Sequence, residues 1–122
     1  MQTGREWVID AAGCDPRMLE SVEALQALFD AAVRELGLTP VRPAEWVKFP
    51  PPGAGVTGFL LLRESHLACH SFPEHGVLAV NLYCCRPRER WNWEQRLAEH
   101  VGAKQVGVRT LERGIAALDG RR

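Results

Sequence analysis

Val56-Thr57-Gly58-Phe59-Leu60-Leu61-Leu62, Leu67-Ala68-Cys69-His70-Ser71-Phe72 and Val77-Leu78-Ala79-Val80-Asn81-Leu82-Tyr83 are three short apolar runs following one another closely. Each has strand length, and Pro73-Glu74-His75-Gly76 supplies turn residues between the last two. The connections are too short for a crossover, so the pattern predicts antiparallel neighbours. Working outward, Trp7–Ala12 reads as a further strand running into Gly13. Asp15 and Pro16 form a helix start, an oxygen acceptor followed by a ring preset for the first turn. Met18, Leu19, Val22, Leu25, Leu28, Phe29, Ala32, Val33 and Leu36 keep helical spacing up to a capping Gly37. Thr39–Phe49 is extended but interrupted by Pro40 and Pro43, which suits an edge strand. Residues 50–55, Pro-Pro-Pro-Gly-Ala-Gly, form a loop. Asn92 caps a second helix carrying Trp93, Leu97 and Val101 on one face, and Gly102 ends it. Lys104–Leu111 alternates as a last strand, and Gly120-Arg121-Arg122 reads as a frayed tail.

Strand, helix, several strands, helix, strand predicts an α/β (α+β) two-layer sandwich: a mainly antiparallel sheet with two helices on one face. The other face must meet solvent or a partner. The 122 residues suit a single domain, 1–122. Fifteen basic residues balance fifteen acidic ones, so no net field draws nucleic acid or an anionic membrane. No apolar run approaches the roughly 20 residues of a membrane helix. Met1–Glu6 lacks the basic start and apolar core of a secretion signal, so a cytoplasmic protein is expected. Cys14, Cys69, Cys84 and Cys85 form no C-x-x-C pair and read as free thiols, mostly buried.

Chemistry-bearing residues concentrate in 64–76, Glu-Ser-His-Leu-Ala-Cys-His-Ser-Phe-Pro-Glu-His-Gly, with three of the four histidines. Taken alone, His66 and His70 could be ordinary half-buried histidines. A metal set of His66, His70 and Glu74 is open on spacing, but the pattern is unremarkable and no metal is assigned. A Ser-His-acid hydrolase would want a glycine-flanked elbow, and Arg63-Glu64-Ser65-His66-Leu67 has none. Cys84 and Cys85 read as small buried residues, Glu74 as a solvated turn carboxylate and Phe49 as a strand-end core residue.

Gly55-Val56-Thr57-Gly58, Glu64-Ser65-His66-Leu67, His70-Ser71-Phe72-Pro73-Glu74 and Ala79-Val80-Asn81-Leu82-Tyr83-Cys84-Cys85 resemble the core of prokaryotic S-adenosylmethionine decarboxylases. The last three blocks match without a gap, and weaker similarity through Cys14-Asp15 and Trp93 extends it over nearly the whole chain. The resemblance implies a zymogen that cleaves itself between Glu64 and Ser65, giving a β chain 1–64 and an α chain 65–122. Ser65 would attack the Glu64 carbonyl, and its remnant would become a pyruvoyl cofactor, which condenses with the substrate amine as a Schiff base. The same resemblance makes His70 the base in processing and Thr57 its hydroxyl helper, where serine is usual. It makes Cys85 the proton donor, a thiol still protonated at neutral pH. Glu74 would hold the substrate ribose, with Phe49 stacking on adenine and Phe72 beside it. The implied function is decarboxylation of S-adenosylmethionine for spermidine synthesis, by a homodimer with sites built from both protomers.

Departures cluster around substrate binding. The loop between Phe49 and Thr57 is longer and proline-rich; Phe72 replaces tryptophan, Asn81 an acid, Cys84 a threonine and His75 a tyrosine. A pyruvoyl-dependent decarboxylase of ornithine or arginine is therefore a second reading. An unprocessed, non-catalytic paralogue is a third, resting on Thr57 and the altered loop.

Overall fold

The computed structural model describes residues 2–86 and 88–118; the expected tail at Gly120-Arg121-Arg122 lies outside them. Six strands form one antiparallel sheet: β1 (Gln2–Ala12), β2 (Glu45–Lys48), β3 (Val56–Leu62), β4 (Ser65–Phe72), β5 (Val77–Cys84) and β6 (Gln105–Gly114), in the spatial order β2-β3-β4-β5-β1-β6. Helices α1 (Pro16–Leu19), α2 (Val22–Leu36), α3 (Trp93–Val101) and α4 (Ile115–Leu118) complete the fold. The two-layer sandwich read from the sequence is the observed architecture.

Period-two burial fixes which way the sheet faces. Leu78, Val80, Leu82 and Cys84 on β5 are buried, and the residues between them are half-buried. Trp7, Ile9 and Ala11 on β1 join them in one core with Leu25, Leu28 and Phe29 of α2 and Trp93, Leu97 and Val101 of α3. The alternate residues form an open face bearing Thr57, Phe59, His66, His70, Ala79, Asn81 and Tyr83.

Two expectations are corrected. The helix read as continuous from Asp15 to Gly37 breaks after Leu19. Asp15 caps α1 by accepting from the Arg17 N–H at 3.0 Å, and Ser21 restarts the chain as α2 by accepting from Ala24 N–H at 3.0 Å. The apolar spacing runs through the break, so periodicity alone does not reveal it. The extended segment Thr39–Phe49 pairs only at Glu45–Lys48, with Pro40 making an isolated bridge to Leu62. Pro43 has no N–H to give a ladder, so β2 is a short edge strand. Trp46 lies across Gly58, where an added Cβ would come within 2.1 Å of its ring, and stacks tilted on Phe29 at 5.0 Å.

One buried hydroxyl ties the layers together. Ser71, 1% exposed, donates to the Leu19 carbonyl at 2.7 Å and accepts from the Val56 N–H at 2.9 Å. Ser71→Ala leaves both backbone groups buried and unpaired, and should destabilise the fold by about 2 kcal/mol or more. Urea unfolding would read this as a lower midpoint at unchanged slope; an unchanged midpoint would contradict it.

Candidate active site

Antiparallel register places the predicted residues. β3 and β4 are joined by a two-residue turn, Arg63-Glu64, closed by the Leu62–Ser65 pair. Neither turn residue has a positive φ, so the turn is not one of the mirror-image types usual in two-residue hairpins. Ser65 also pairs with Cys84 of β5, which puts Cys85 beside the turn. The Glu64–Ser65 bond thus joins an exposed turn to a strand paired on both sides.

Three predicted residues gather here. The Cys85 thiol donates to the Glu64 carboxylate at 3.5 Å, and Arg86 forms an ion pair with the same carboxylate. That hydrogen bond with Arg86 leads in holding the Glu64 pKa below the ordinary carboxylate value. Desolvation, then the neighbouring Glu64 carboxylate, raises the Cys85 pKa and keeps the group a thiol. Cys85 is exposed while Cys14, Cys69 and Cys84 are buried, so reading Cys85 as a small core residue is overturned and reading Cys84 that way holds. Burial raises the Cys84 pKa, opposed in part by Arg88 and by a hydrogen bond from Ser65.

The remaining predicted residues form a second cluster at the far end of the strand. Thr57 and His70 are cross-strand partners, with Thr57 Oγ1 and His70 Nδ1 2.5 Å apart. Phe49 meets the His70 ring edge-on at 5.8 Å and Phe72 does so at 4.4 Å. Phe49, Phe72, His70 and Glu74 line an open cavity of about 270 Å³ with Gly53 and Gly55. The proline-rich loop is closed by a hydrogen bond from Phe49 N–H to the Gly55 carbonyl at 2.8 Å. It passes so near Glu74 that a Cβ on Gly53 would sit 3.1 Å from the carboxylate. Phe49 is 45% and Phe72 38% exposed, leaving both rings available to a ligand.

Ser65 and His70 do not meet within one chain. Five residues at about 3.3 Å each separate them by about 16 Å along β4, and their odd spacing sends the side chains to opposite faces. His66 stacks with Phe59 at 5.8 Å and lies 3.4 Å from Asn81 Nδ2. Among the described residues, no three His, Cys, Asp or Glu side chains gather as a metal ligand set. Sequence reasoning passed over Arg86 and Arg88, although the run Arg86-Pro87-Arg88-Glu89-Arg90 directly follows Cys85.

The thiol gives a direct check on these electrostatics. In uncleaved Ser65→Ala protein, adding Glu64→Gln removes the carboxylate that raises the Cys85 pKa. The midpoint of the alkylation rate against pH should then move to lower pH. A profile identical with and without Glu64 would contradict the assigned cause.

The sequence model of the S-adenosylmethionine decarboxylase family matches residues 5–114. The S-adenosylmethionine decarboxylase proenzyme of Shouchella clausii is 38% identical over 116 residues, covering 94% of this chain and 88% of that one. Its counterpart from Thermococcus gammatolerans is 33% identical over 117 residues, covering 95% and 80%. The crystal structure of the adenosylmethionine decarboxylase from Aquifex aeolicus superposes with a TM-score of 0.79 at 29% identity, covering 93% of this chain and 92% of that one. With that match running from β1 to the end of β6, the chain belongs to the S-adenosylmethionine decarboxylase family.

Proposed function

We propose that this chain is a self-processing decarboxylase of S-adenosylmethionine, cut between Glu64 and Ser65 into chains 1–64 and 65–122, and working as a cytoplasmic homodimer. The observation that carries the reading is the hairpin itself. A serine follows an exposed turn whose glutamate is held by Arg86 and contacted by a protonated thiol. Residue 65 suits a pyruvoyl group: once the turn is cut, pairing with β5 still holds the new chain start beside Cys85. A pyruvoyl carbonyl supplies a sink for the electrons left when carbon dioxide departs.

The chain's own side chains carry the remaining tasks. Ser65 delivers the hydroxyl that attacks the Glu64 carbonyl. Cys85, kept as a thiol by its neighbours, returns a proton to the substrate carbon that has lost its carboxylate. Thr57 fixes the orientation of the His70 ring through their short hydrogen bond, and His70 moves the proton in processing. Phe49 and Phe72 flank a planar base while Glu74 accepts from ribose hydroxyls. Two aromatic rings and one carboxylate suit a nucleoside better than the distal cation of ornithine or arginine, which needs no stacking surface.

The distance between Ser65 and His70 supports a site completed by a second copy, whose open face would present its own His70 cluster. Val8, Phe59, Ala68 and Ala79 line a broad groove on that face. Four free thiols fit a reducing compartment, and among the described residues no helix is long and apolar enough to cross a membrane.

Carbon dioxide release from carboxyl-labelled S-adenosylmethionine, ornithine and arginine, assayed in parallel, tests the substrate. Release from S-adenosylmethionine alone is expected, and release only from ornithine or arginine would overturn the assignment. Shared sites are tested by co-producing Ser65→Ala with His70→Ala chains. One site in each mixed dimer keeps both groups, so roughly a quarter of all sites should work under random pairing. Ser65→Ala with Cys85→Ala should recover nothing, because those residues share one hairpin. The opposite pattern would contradict a site divided this way.

A further inference from the structure

A polar pocket of about 170 Å³ lies against the scissile bond, lined by Glu64, Ser65, Thr39, Arg63, Arg86 and Arg88. Three arginines thus line a pocket that holds a single carboxylate, the Glu64 side chain; Arg86 and Arg63 lower its pKa, and Arg88 lies against the Cys84 thiol. Arg86 engages that carboxylate. Arg88 is anchored from behind: its Nη1 donates to the Leu36 carbonyl at the C-terminal end of α2 at 2.8 Å. Its Nε, also buried, finds no hydrogen-bond partner among the described residues. A buried guanidinium N–H without an acceptor carries a desolvation cost, which an anionic acceptor brought close to it offsets.

Two carboxylates could fill such a pocket, and the chemistry separates them. A substrate carboxylate must leave as neutral carbon dioxide, so gripping it with arginines would stabilise the ground state and raise the barrier. The other carboxylate is made by the chain itself and stays. In self-cleavage, which this inference takes from the proposed function, the Ser65 Oγ–Glu64 carbonyl bond forms as the Glu64–Ser65 amide C–N bond breaks. The Ser65 nitrogen takes up the hydroxyl proton. Loss of the Ser65 Cα proton to a base then breaks the Cβ–Oγ bond. Glu64 departs as a carboxylate carrying the serine oxygen, and residue 65 is left as dehydroalanine. Its imine tautomer takes up one water and releases one ammonia. The pocket therefore gains one negative charge beside its surplus positive charge at the elimination step.

We propose that the Arg86–Arg88 pocket binds the terminal carboxylate of Glu64, stabilising it first as the leaving group and then as the docked end of the β chain. Donors already in place for a developing anion lower the barrier to its departure. Bidentate guanidinium contacts suit a carboxylate whose second oxygen is newly exposed.

The test follows freshly synthesised full-length protein by denaturing mass spectrometry, with and without hydroxylamine, which splits esters but spares amides. Arg88→Leu should slow elimination by on the order of tenfold or more, less than the about 10²–10³ of a donor in a dry site because this pocket is wetter. It should accumulate a chain of unchanged mass that hydroxylamine cuts before residue 65. Guanidinium ion, at concentrations too low to unfold the protein, should restore processing. Arg86→Gln, at an exposed position where folding is not at stake, should show the same ester build-up more weakly. If Arg88→Leu fails to fold, Arg86→Gln and Arg88→Lys decide the matter by the same criterion. Folded variants cut at the wild-type rate would overturn the proposal while leaving self-cleavage intact. So would a folded Arg88→Leu chain that stays uncut and resists hydroxylamine, since the arginine would then act before the ester exists. A wild-type chain that never cuts would remove self-cleavage itself, and the pocket's role with it.

Discussion

The register of β4 between β3 and β5 is the constraint on which the site depends. Pairing Leu62 with Ser65 leaves only Arg63 and Glu64 to turn the chain, and pairing Ser65 with Cys84 brings Cys85 to the same end. A slip of one residue would send Leu67 and Cys69 to the open face and His66 and His70 into the core. Burial of the alternating apolar residues holds the register, and Ser71 pins it from the helix layer through Leu19 and Val56. The apolar core thus determines which peptide bond lies in the turn.

The same strand divides the chemistry in two. Its first residue lies among charged groups, where Arg86 and Cys85 help lower the Glu64 pKa, and desolvation and Glu64 raise that of Cys85. Its far end lies among aromatic rings, with His70 between Phe49 and Phe72. Bond-breaking steps that create charge suit the first environment, and a flat, weakly polar ligand suits the second. Separating them by most of a strand length favours assembly from two chains, because a rigid sheet cannot fold its own ends together.

Much of the fold could be read from local physics. Gly37 and Gly102 adopt the left-handed conformation expected of helix caps, and Asn92 accepts from Gln95 N–H at 3.3 Å as an N-cap should. The break at Ser21 escaped because Leu19 and Val22 keep the helical phase across it, so only the serine's capping oxygen marks the restart. β6 runs on to Gly114 because pairing with β1 supports residues that local alternation does not. Within the site, residues adjacent in sequence were found readily, whereas the separation of Ser65 from His70 was not. A gap of five looks short until strand geometry converts it to distance and face. Arg88 was missed because what anchors it is contact with the end of α2, far away in sequence.

Self-cleavage at the Glu64–Ser65 bond is the central claim, and the mass of the purified chain under denaturing conditions tests it most directly. Two fragments are predicted, 1–64 and 65–122, the second lighter by one ammonia than a chain beginning with the encoded serine and blocked at its N-terminus to stepwise sequencing. A single intact chain of 13.6 kDa that resists hydroxylamine would contradict it.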